Sequence, residues 1–364
     1  MAETLFVHPG KLHYFAREIF KRLRVPPKDA SKIADVLVAA DLAGVESQGV
    51  ARLPFYAERL SSRLVNPTPS IEVVEETAST ATVDGDNGPG PVVGTKAMEL
   101  AIRKAGRNGI GAVAVRKGNQ LGMLGYYARM ALNEQMIGVA MTNDLPSVVP
   151  PSGTRPVYGT NPIAIAIPAK EGRSPFVLDG STSATSRGKI ETAKQKGEAI
   201  PKGWALDSSN RPTTDPEAAL AALRLLPLGS APETGAFKGY GLGLAVEILS
   251  GVLSGGSFGD ELAGAQGDHP GVAHIGHFFA ALRIDAFGPF GRFLDRVDVM
   301  LKKLSFSHSG GPRVRYPGEP EFETEEERRA NGIPLPASVT RDLEGLARSL
   351  DLKDAWEHVL ASRK

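Results

Sequence analysis

The chain has 364 residues, with 42 Lys and Arg against 41 Asp and Glu, and no cysteine. This length predicts two compact domains, or one large domain with a lobe, and a core that needs no covalent or metal staples. The lack of cysteine excludes thiol nucleophiles, thiolate zinc sites, iron–sulfur clusters and disulfide frameworks, and a net charge of +1 with acid and base well mixed lacks the basic footprint of a nucleic-acid binder.

Residues 11–23 (KLHYFAREIFKRL) carry apolar side chains at helical spacing and predict a first helix, ended by Pro26-Pro27. Residues 31–43 (SKIADVLVAADLA) predict a second amphipathic helix, stopped at Gly44. The segment ESQGVARLP (46–54) therefore falls just past a helix C-terminus, and residues 53–60 predict a further short helix. From Ile71 the texture changes to short β-branched runs between glycines and prolines. These predict buried strands at 81–84, 111–115, 137–141, 163–167 and 176–178. Helices are predicted between them at 95–108 and 123–133. An alanine–leucine helix follows Pro216, then a proline- and glycine-rich break at 226–235. GYGLGLAVEILSGVL (239–253) predicts a long buried helix. The run EFETEEERR (321–329) reads as a solvated helix start, and the tail from Pro334 as one or two amphipathic helices. No internal repeat is present. The N-terminus has no secretory pattern and no apolar run reaches transmembrane length, so the expectation is a soluble, cytoplasmic protein with no membrane partner. The fold class predicted is α/β, with a β-rich middle and helical ends that pack together.

Several stretches carry candidate chemistry. Gly239-Tyr240-Gly241-Leu242-Gly243 is not a dinucleotide fingerprint, because no strand precedes it and its spacing is GxGxG rather than GxGxxG. Gly241 and Gly243 predict close helix packing instead. Lys238, which opens that helix, is placed to reach a phosphate or a carboxylate. The turn Gly118-Asn119-Gln120-Leu121-Gly122 joins a strand to a helix and suits either a binding site or a capping turn. Polar strand ends at 142–144 (TND), 158–162 (YGTNP) and 179–183 (DGSTS) predict convergence on one crevice. Arg155 and the pair Arg187 and Lys189 either meet a cofactor phosphate or are solvated surface charge. The seven histidines (His8, His13, His269, His274, His277, His308 and His358) show no carboxylate at ligand spacing, so no metal is expected; His277 is predicted to enter a strand. No G-x-S-x-G elbow marks a serine hydrolase. The residues by themselves point to an α/β enzyme with a small-molecule crevice.

The ordered set of motifs goes further. ADLAGVESQGVARLPFYAERL (40–60), GNQLGMLGYYA (118–128), GTNPIAIAIP (159–168), SRGKIETAKQKGEAIPKGWALD (186–207), FKGYGLGLAVEILSGVLSG (237–255) and YPGEPE (316–321) together resemble the type-2 malate/L-lactate dehydrogenase family. That family also takes in ureidoglycolate dehydrogenase, diketogulonate reductase and piperideine-2-carboxylate reductase. The resemblance covers nearly the whole chain. It implies a non-Rossmann α/β fold and an oxidoreductase that uses NADPH or NADH. It implies a small carboxylate-bearing substrate, and a homodimer with its active site near the subunit interface. It divides the chain into a helical N-terminal segment of the substrate domain (1–70), a β-rich cofactor-binding region (71–235), a helix and strand region completing the cofactor site (236–300) and a C-terminal helical segment (301–364). Position by position, it makes Asp144, Asp179, Gly180, Ser181 and Lys238 cofactor contacts. It makes Ser47, Gln48, Arg52 and Gln120 the substrate and catalytic positions. Arg52 is expected to hold the substrate carboxylate, because a guanidinium fork can bond both oxygens at once.

The chain departs from the family pattern where protons are handled. The family's S-H-G is Ser47-Gln48-Gly49 here, and its N-H-F-G is Asn119-Gln120-Leu121-Gly122. The usual D-M-A turn is Asp179-Gly180-Ser181, and the Asp144 position is often serine. The second of the family's two histidines is the assigned proton acceptor, a role worth roughly a hundred- to ten-thousand-fold in rate. Glutamine donates N–H bonds but has no proton to give away. Three readings follow. A protonated cyclic imine needs less acid help. A 2-oxo or 2-hydroxy acid would need a relocated acid, with Asp144, Lys238 or His277 as candidates. In the third reading the scaffold has lost hydride transfer and binds a cofactor or does other chemistry.

Overall fold

The computed structural model describes residues 4–262, 271–305 and 313–361; His269 and His308 fall outside them. The β-branched runs of the middle pair into one seven-stranded sheet in the order β2-β3-β4-β11-β5-β6-β7. Its strands are β2 (Glu72–Glu76), β3 (Thr80–Asp84), β4 (Ile110–Gly118), β5 (Met136–Thr142), β6 (Ile163–Ile167), β7 (Phe176–Gly180) and β11 (Ile275–Arg283). Only β3 and β4 run parallel; every other pairing is antiparallel. An antiparallel sheet of this order cannot carry a Rossmann site, as expected from the failed fingerprint. Inserting β11 between β4 and β5 brings residues far apart in sequence side by side. His277 faces Val115 on one neighbour and Thr142 on the other.

One face of the sheet is covered by α4 (Gly90–Asn108) and α5 (Leu124–Met130). Val113, Val115, Ala140, Ala164, Phe279 and Ala281 form its apolar floor. The helical ends of the chain build a second core. It joins α1 (Pro9–Arg22), α2 (Pro27–Leu42) and α3 (Leu53–Ser61) to α11 (Ala337–Ser349) and α12 (Lys353–Leu360). Phe15 and Trp356 meet there at 5.0 Å between ring centroids. The short strands β1 (Leu5–Val7) and β12 (Ile333–Leu335) pair antiparallel and close the chain ends together. α2 belongs to both cores: Ile33 and Leu37 face the chain-end core, while Val36 faces the sheet. α10 (Glu319–Asn331) packs on α2 from outside. A small lobe holds α6 (Arg187–Lys196), α7 (Pro216–Ala222) and the sheet of β8 (Ala205–Leu206), β9 (Pro212–Thr213) and β10 (Arg224–Leu225).

The predicted strands and helices of the middle are present, extended at their ends. Several elements escaped the periodicity, α6 and the lobe strands β8, β9 and β10 among them. β1 and β12 are three residues long, β2 is exposed throughout and shows no buried alternation, and α9 (Phe290–Ser305) follows a glycine-rich turn. The helix expected to be buried at 239–253 needs correction. It is α8 (Ala236–Glu247) followed by a π-helical turn over Ile248–Val252, and one side is open: Phe237 is 63% exposed, Ile248 54% and Val252 50%. Close packing holds for Gly239, against the Leu228 backbone, and for Gly243, against the Tyr158 ring. A side chain at Gly241 would meet nothing.

Trp356 is almost fully buried in the core that joins the two chain ends. Trp356→Ala should therefore cost about 3–5 kcal/mol of unfolding free energy, read as a lower denaturation midpoint.

Candidate functional site

The ESQG segment is shaped by what lies beneath it. After α2 the chain makes two 3₁₀ turns, Glu46–Gln48 and Val50–Arg52, hinged at an extended Gly49. The carboxylate of Asp41 sits directly under that hinge. A Cβ on Gly49 would come within 1.8 Å of it, so only glycine fits. Asp41 is 2% exposed, and its Oδ2 accepts the Val50 N–H at 2.8 Å. Arg328 of α10 donates to the Asp41 carbonyl oxygen and pairs with the Glu46 carboxylate. The turn is thereby held from below by α2 and from outside by α10.

Ser47 and Gln48 line one lip of an open cleft of about 340 Å³. The facing lip is Asp179, Gly180 and Ser181 at the end of β7, with Thr160 and Pro162 ahead of β6. Gly122 to Gly125, at the start of α5, form the floor with Pro317, Gly318 and Phe322. Two of the three polar strand ends expected to converge meet here; the third, at 142–144, does not line the cleft. Asp179 Oδ2 accepts the Gly125 N–H at 2.6 Å, at the N-terminus of α5. Burial of the carboxylate pushes its pKa up to about 6, against the pull of that amide and with Glu321 nearby raising it further.

The other expected residues surround this cleft. Arg52 donates from Nε to the Ser47 carbonyl at 3.1 Å and lies 5.5 Å from the Phe55 ring centre. Gln120 follows β4 on a turn that the Asn119 amide ties to Asn87 and Gly88. It lines a small hollow with Tyr56 and Arg59, beside the cleft rather than in it. Tyr56 joins the two motifs. Its hydroxyl lies 3.5 Å from the Gln120 carbonyl, and both that hydroxyl and the Gln48 carbonyl stand within 4.0 Å of a Cβ position on Gly122. Asp144 caps the end of β5, its Oδ1 accepting the Leu145 N–H at 2.8 Å. Burial raises its pKa; the Arg52 charge acts on it in the opposite direction. Lys238 stands exposed at the start of α8, its ammonium 5.8 Å from the Phe237 ring centre, and does not line the cleft.

Two buried groups near the site need comment. His277 is fully buried, its Nδ1 2.8 Å from the Thr142 hydroxyl, and burial lowers its pKa to about 3. It is a neutral imidazole sealed behind the Gly118-Asn119 backbone, which removes it as a relocated acid. Glu247, 5% exposed, was not anticipated. Its carboxylate accepts from the Asn143 and Asn161 amides and from the Gly259 N–H, and so ties α8 to the ends of β5 and β6. A lone carboxylate in the apolar run GLGLAVEILSGVL was the available signal. Among the described residues no cluster of His, Asp and Glu is arranged to hold a metal ion.

Asp41 makes folding proton-linked. Burial raises its pKa from 3.8 to about 7, so between those values the folded protein keeps a proton that the unfolded chain has released. Its contribution to stability therefore falls as pH rises from about 4 to about 7 and is level above that. Asp41→Asn should flatten this part of the stability–pH curve, measured as urea midpoints at several pH values.

Comparison with known proteins matches this geometry. The family model described as malate/L-lactate dehydrogenase matches residues 7–344. A malate dehydrogenase of Pyrococcus abyssi is 43% identical over 346 residues, covering 94% of each chain. An L-sulfolactate dehydrogenase of Methanocaldococcus jannaschii is 39% identical, over 92% of this chain and 94% of that protein. The crystal structure of malate dehydrogenase from Entamoeba histolytica superposes with a TM-score of 0.92 at 33% identity, covering 96% of this chain and 99% of the other. Sequence and overall fold agree, and the chain belongs to the malate/L-lactate dehydrogenase family.

Proposed function

We propose that the protein is an NAD(P)H-dependent oxidoreductase that reduces a small carboxylate-bearing 2-oxo acid or cyclic imine, or oxidises the matching 2-hydroxy acid. The observation that carries this reading is the single cleft in which Ser47 and Gln48 face Asp179, Gly180 and Ser181. The relatives described above are oxidoreductases by name, which favours hydride transfer over a scaffold that has abandoned it.

The cleft fits a dinucleotide. The Cβ position of Gly180 meets no atom, leaving room for a ligand backbone, and the Asp179 carboxylate can accept from sugar hydroxyls. Ser181 adds a hydroxyl; Asp144 and Lys238, which family likeness also suggests as contacts, do not line this cleft. The cofactor, when bound, supplies or accepts the hydride. Arg52 holds the substrate carboxylate. The amide of Gln48 donates an N–H bond to the oxygen or nitrogen on which charge develops, as an oxyanion-hole donor does, while Gln120, lining the adjoining hollow, holds the substrate position that family likeness suggests. For an oxo acid a proton must still arrive. Asp144 is the candidate the sequence offers, its pKa raised by burial and lowered by the nearby Arg52 charge. Lys238 stands outside the cleft.

We also propose a homodimer with the site near its interface, in a cytoplasmic setting. Support for the dimer comes from the apolar face of α8 and its π turn, where Phe237, Leu242, Ile248, Val252 and Leu253 are exposed. The four-part division of the chain is proposed with it, supported by the core that joins first and last segments.

The reading is tested by NADH and NADPH oxidation with 2-oxo acids and cyclic imino acids across pH. Arg52→Ala should raise KM roughly ten- to a hundredfold, the worth of a charge-assisted bond, with kcat much less affected. An unchanged KM would remove Arg52 from its role. Light scattering tests the dimer: Leu242→Asp combined with Val252→Asp should halve the mass in solution, and an intact dimer would clear this face of any part in assembly.

A further inference from the structure

One cation in the cleft is not used by this reading. Lys189 lines it at the third position of α6, is exposed, and makes no ion pair among the described residues. Ser186, the N-cap of α6, lines the cleft as well, and its side chain accepts from the Lys189 N–H. The α6 N-terminus therefore opens on the cleft and adds partial positive charge there. An independent observation sits beside it. Thr185 is 2% exposed and lines the same cleft, yet its hydroxyl has no partner. Buried hydroxyls are ordinarily satisfied, so an orphan at a cleft wall points to a ligand.

The placement relative to Ser47 indicates what that ligand is. A Cβ on Gly188 would lie 3.5 Å from the Ser47 side chain, so the start of α6 abuts the ESQG turn. Arg52 bonds the carbonyl of that same Ser47. The ESQG turn thus has Arg52 bonded to its Ser47 carbonyl and the start of α6, which carries Lys189 into the cleft, packed against it. The carboxylates of the cleft, Asp179 and Glu321, lie near each other at the α5 end, where Glu321 raises the pKa of Asp179. Arg129, the cation lining the α5 end, is paired with Glu325, so the uncompensated positive charge lies at the α6 end and an anion is favoured there.

We propose that Lys189, with the α6 N-terminus and the Thr185 hydroxyl, forms a second anion subsite that takes the distal carboxylate or sulfonate of a dianionic 2-oxo acid, while Arg52 takes the first carboxylate. The inference rests on the oxidoreductase reading above and narrows its substrate class. The names of the malate and sulfolactate dehydrogenases it resembles refer to acids with two anionic groups, which is the pattern two cations would select.

The test compares oxaloacetate and sulfopyruvate with pyruvate and 2-oxobutyrate, in the wild-type protein, Lys189→Met and Lys189→Arg. The wild type should prefer the dianions. Lys189→Met should raise KM for dianions roughly ten- to a hundredfold, leave kcat nearly unchanged, and leave the monoanions unaffected. Lys189→Arg should recover most of the loss. Equal losses for both substrate classes, or a weakened affinity for NADH measured by fluorescence, would assign Lys189 to the cofactor or the fold and overturn the subsite. Turnover of monoanions or imines with no preference for dianions would overturn it while leaving the oxidoreductase reading intact. Should no substrate turn over, the oxidoreductase reading fails, and calorimetric titration of the protein–NADH complex with malate and with lactate still decides the subsite. Malate binding that Lys189→Met weakens upholds it; equal or absent binding of the two overturns it.

Discussion

The buried carboxylate of Glu247 is the constraint on which the sheet side of the site depends. It lies inside α8, away from solvent, where an ionised group is costly unless hydrogen-bonded. Three donors meet it: the side chains of Asn143 and Asn161 and the N–H of Gly259. Each of the two asparagines then does a second job. Asn161 also donates to the Gly243 carbonyl and accepts from the Asp144 N–H, while Asn143 accepts from the Gly276 N–H on β11. One carboxylate thus fixes the ends of β5, β6 and β11 against α8, and Asp144 is positioned as a consequence. Removing the carboxylate would leave one N–H of each amide without its acceptor in a buried setting, which is costlier than the loss of the bonds alone.

A second carboxylate performs the corresponding task on the helical side. Asp41 holds the Ser47–Arg52 turn through Val50, and Arg328 locks that turn to a helix nearly three hundred residues away. The Ser47–Arg52 turn is therefore tied to the packing of α10, although no residue of α11 or α12 lines the cleft. This arrangement bears on the two glutamines. A site without histidine loses its usual titrating group near neutrality, yet Asp41, just beneath Gly49, has a pKa of about 7. A pH effect on catalysis near that value would report the support of the turn as readily as the chemistry above it.

Much of this was legible in the chain. The strands at 137–141 and 163–167 and the helices flanking them follow from local periodicity, because each buries one face and the pattern repeats within a few residues. The crevice was legible as polar residues at strand ends, and Ser47, Gln48, Asp179, Gly180 and Ser181 do share one cleft. Less visible were the neighbours. Nothing local reveals that Tyr56 reaches Gln120, that Gly188 touches Ser47, or that Arg328 grips Glu46, since each pair is joined only by folding. The open face of α8 was misread as buried because an apolar run looks the same whether its own chain covers it or not.

The sequence by itself determined the α/β class, the family, the failure of the Rossmann pattern and the presence of amide side chains at positions 48 and 120. These are properties of composition, spacing and motif order, which a linear chain displays in full. Tertiary structure alone decided which charges act together. It sealed His277 as a neutral group, left Lys238 outside the cleft, raised the pKa of Asp41 and Asp144, and brought Arg52 and the start of α6 against Ser47. The physical reason is that desolvation and Coulomb interaction depend on distance and surroundings in space, and neither is a function of separation along the chain.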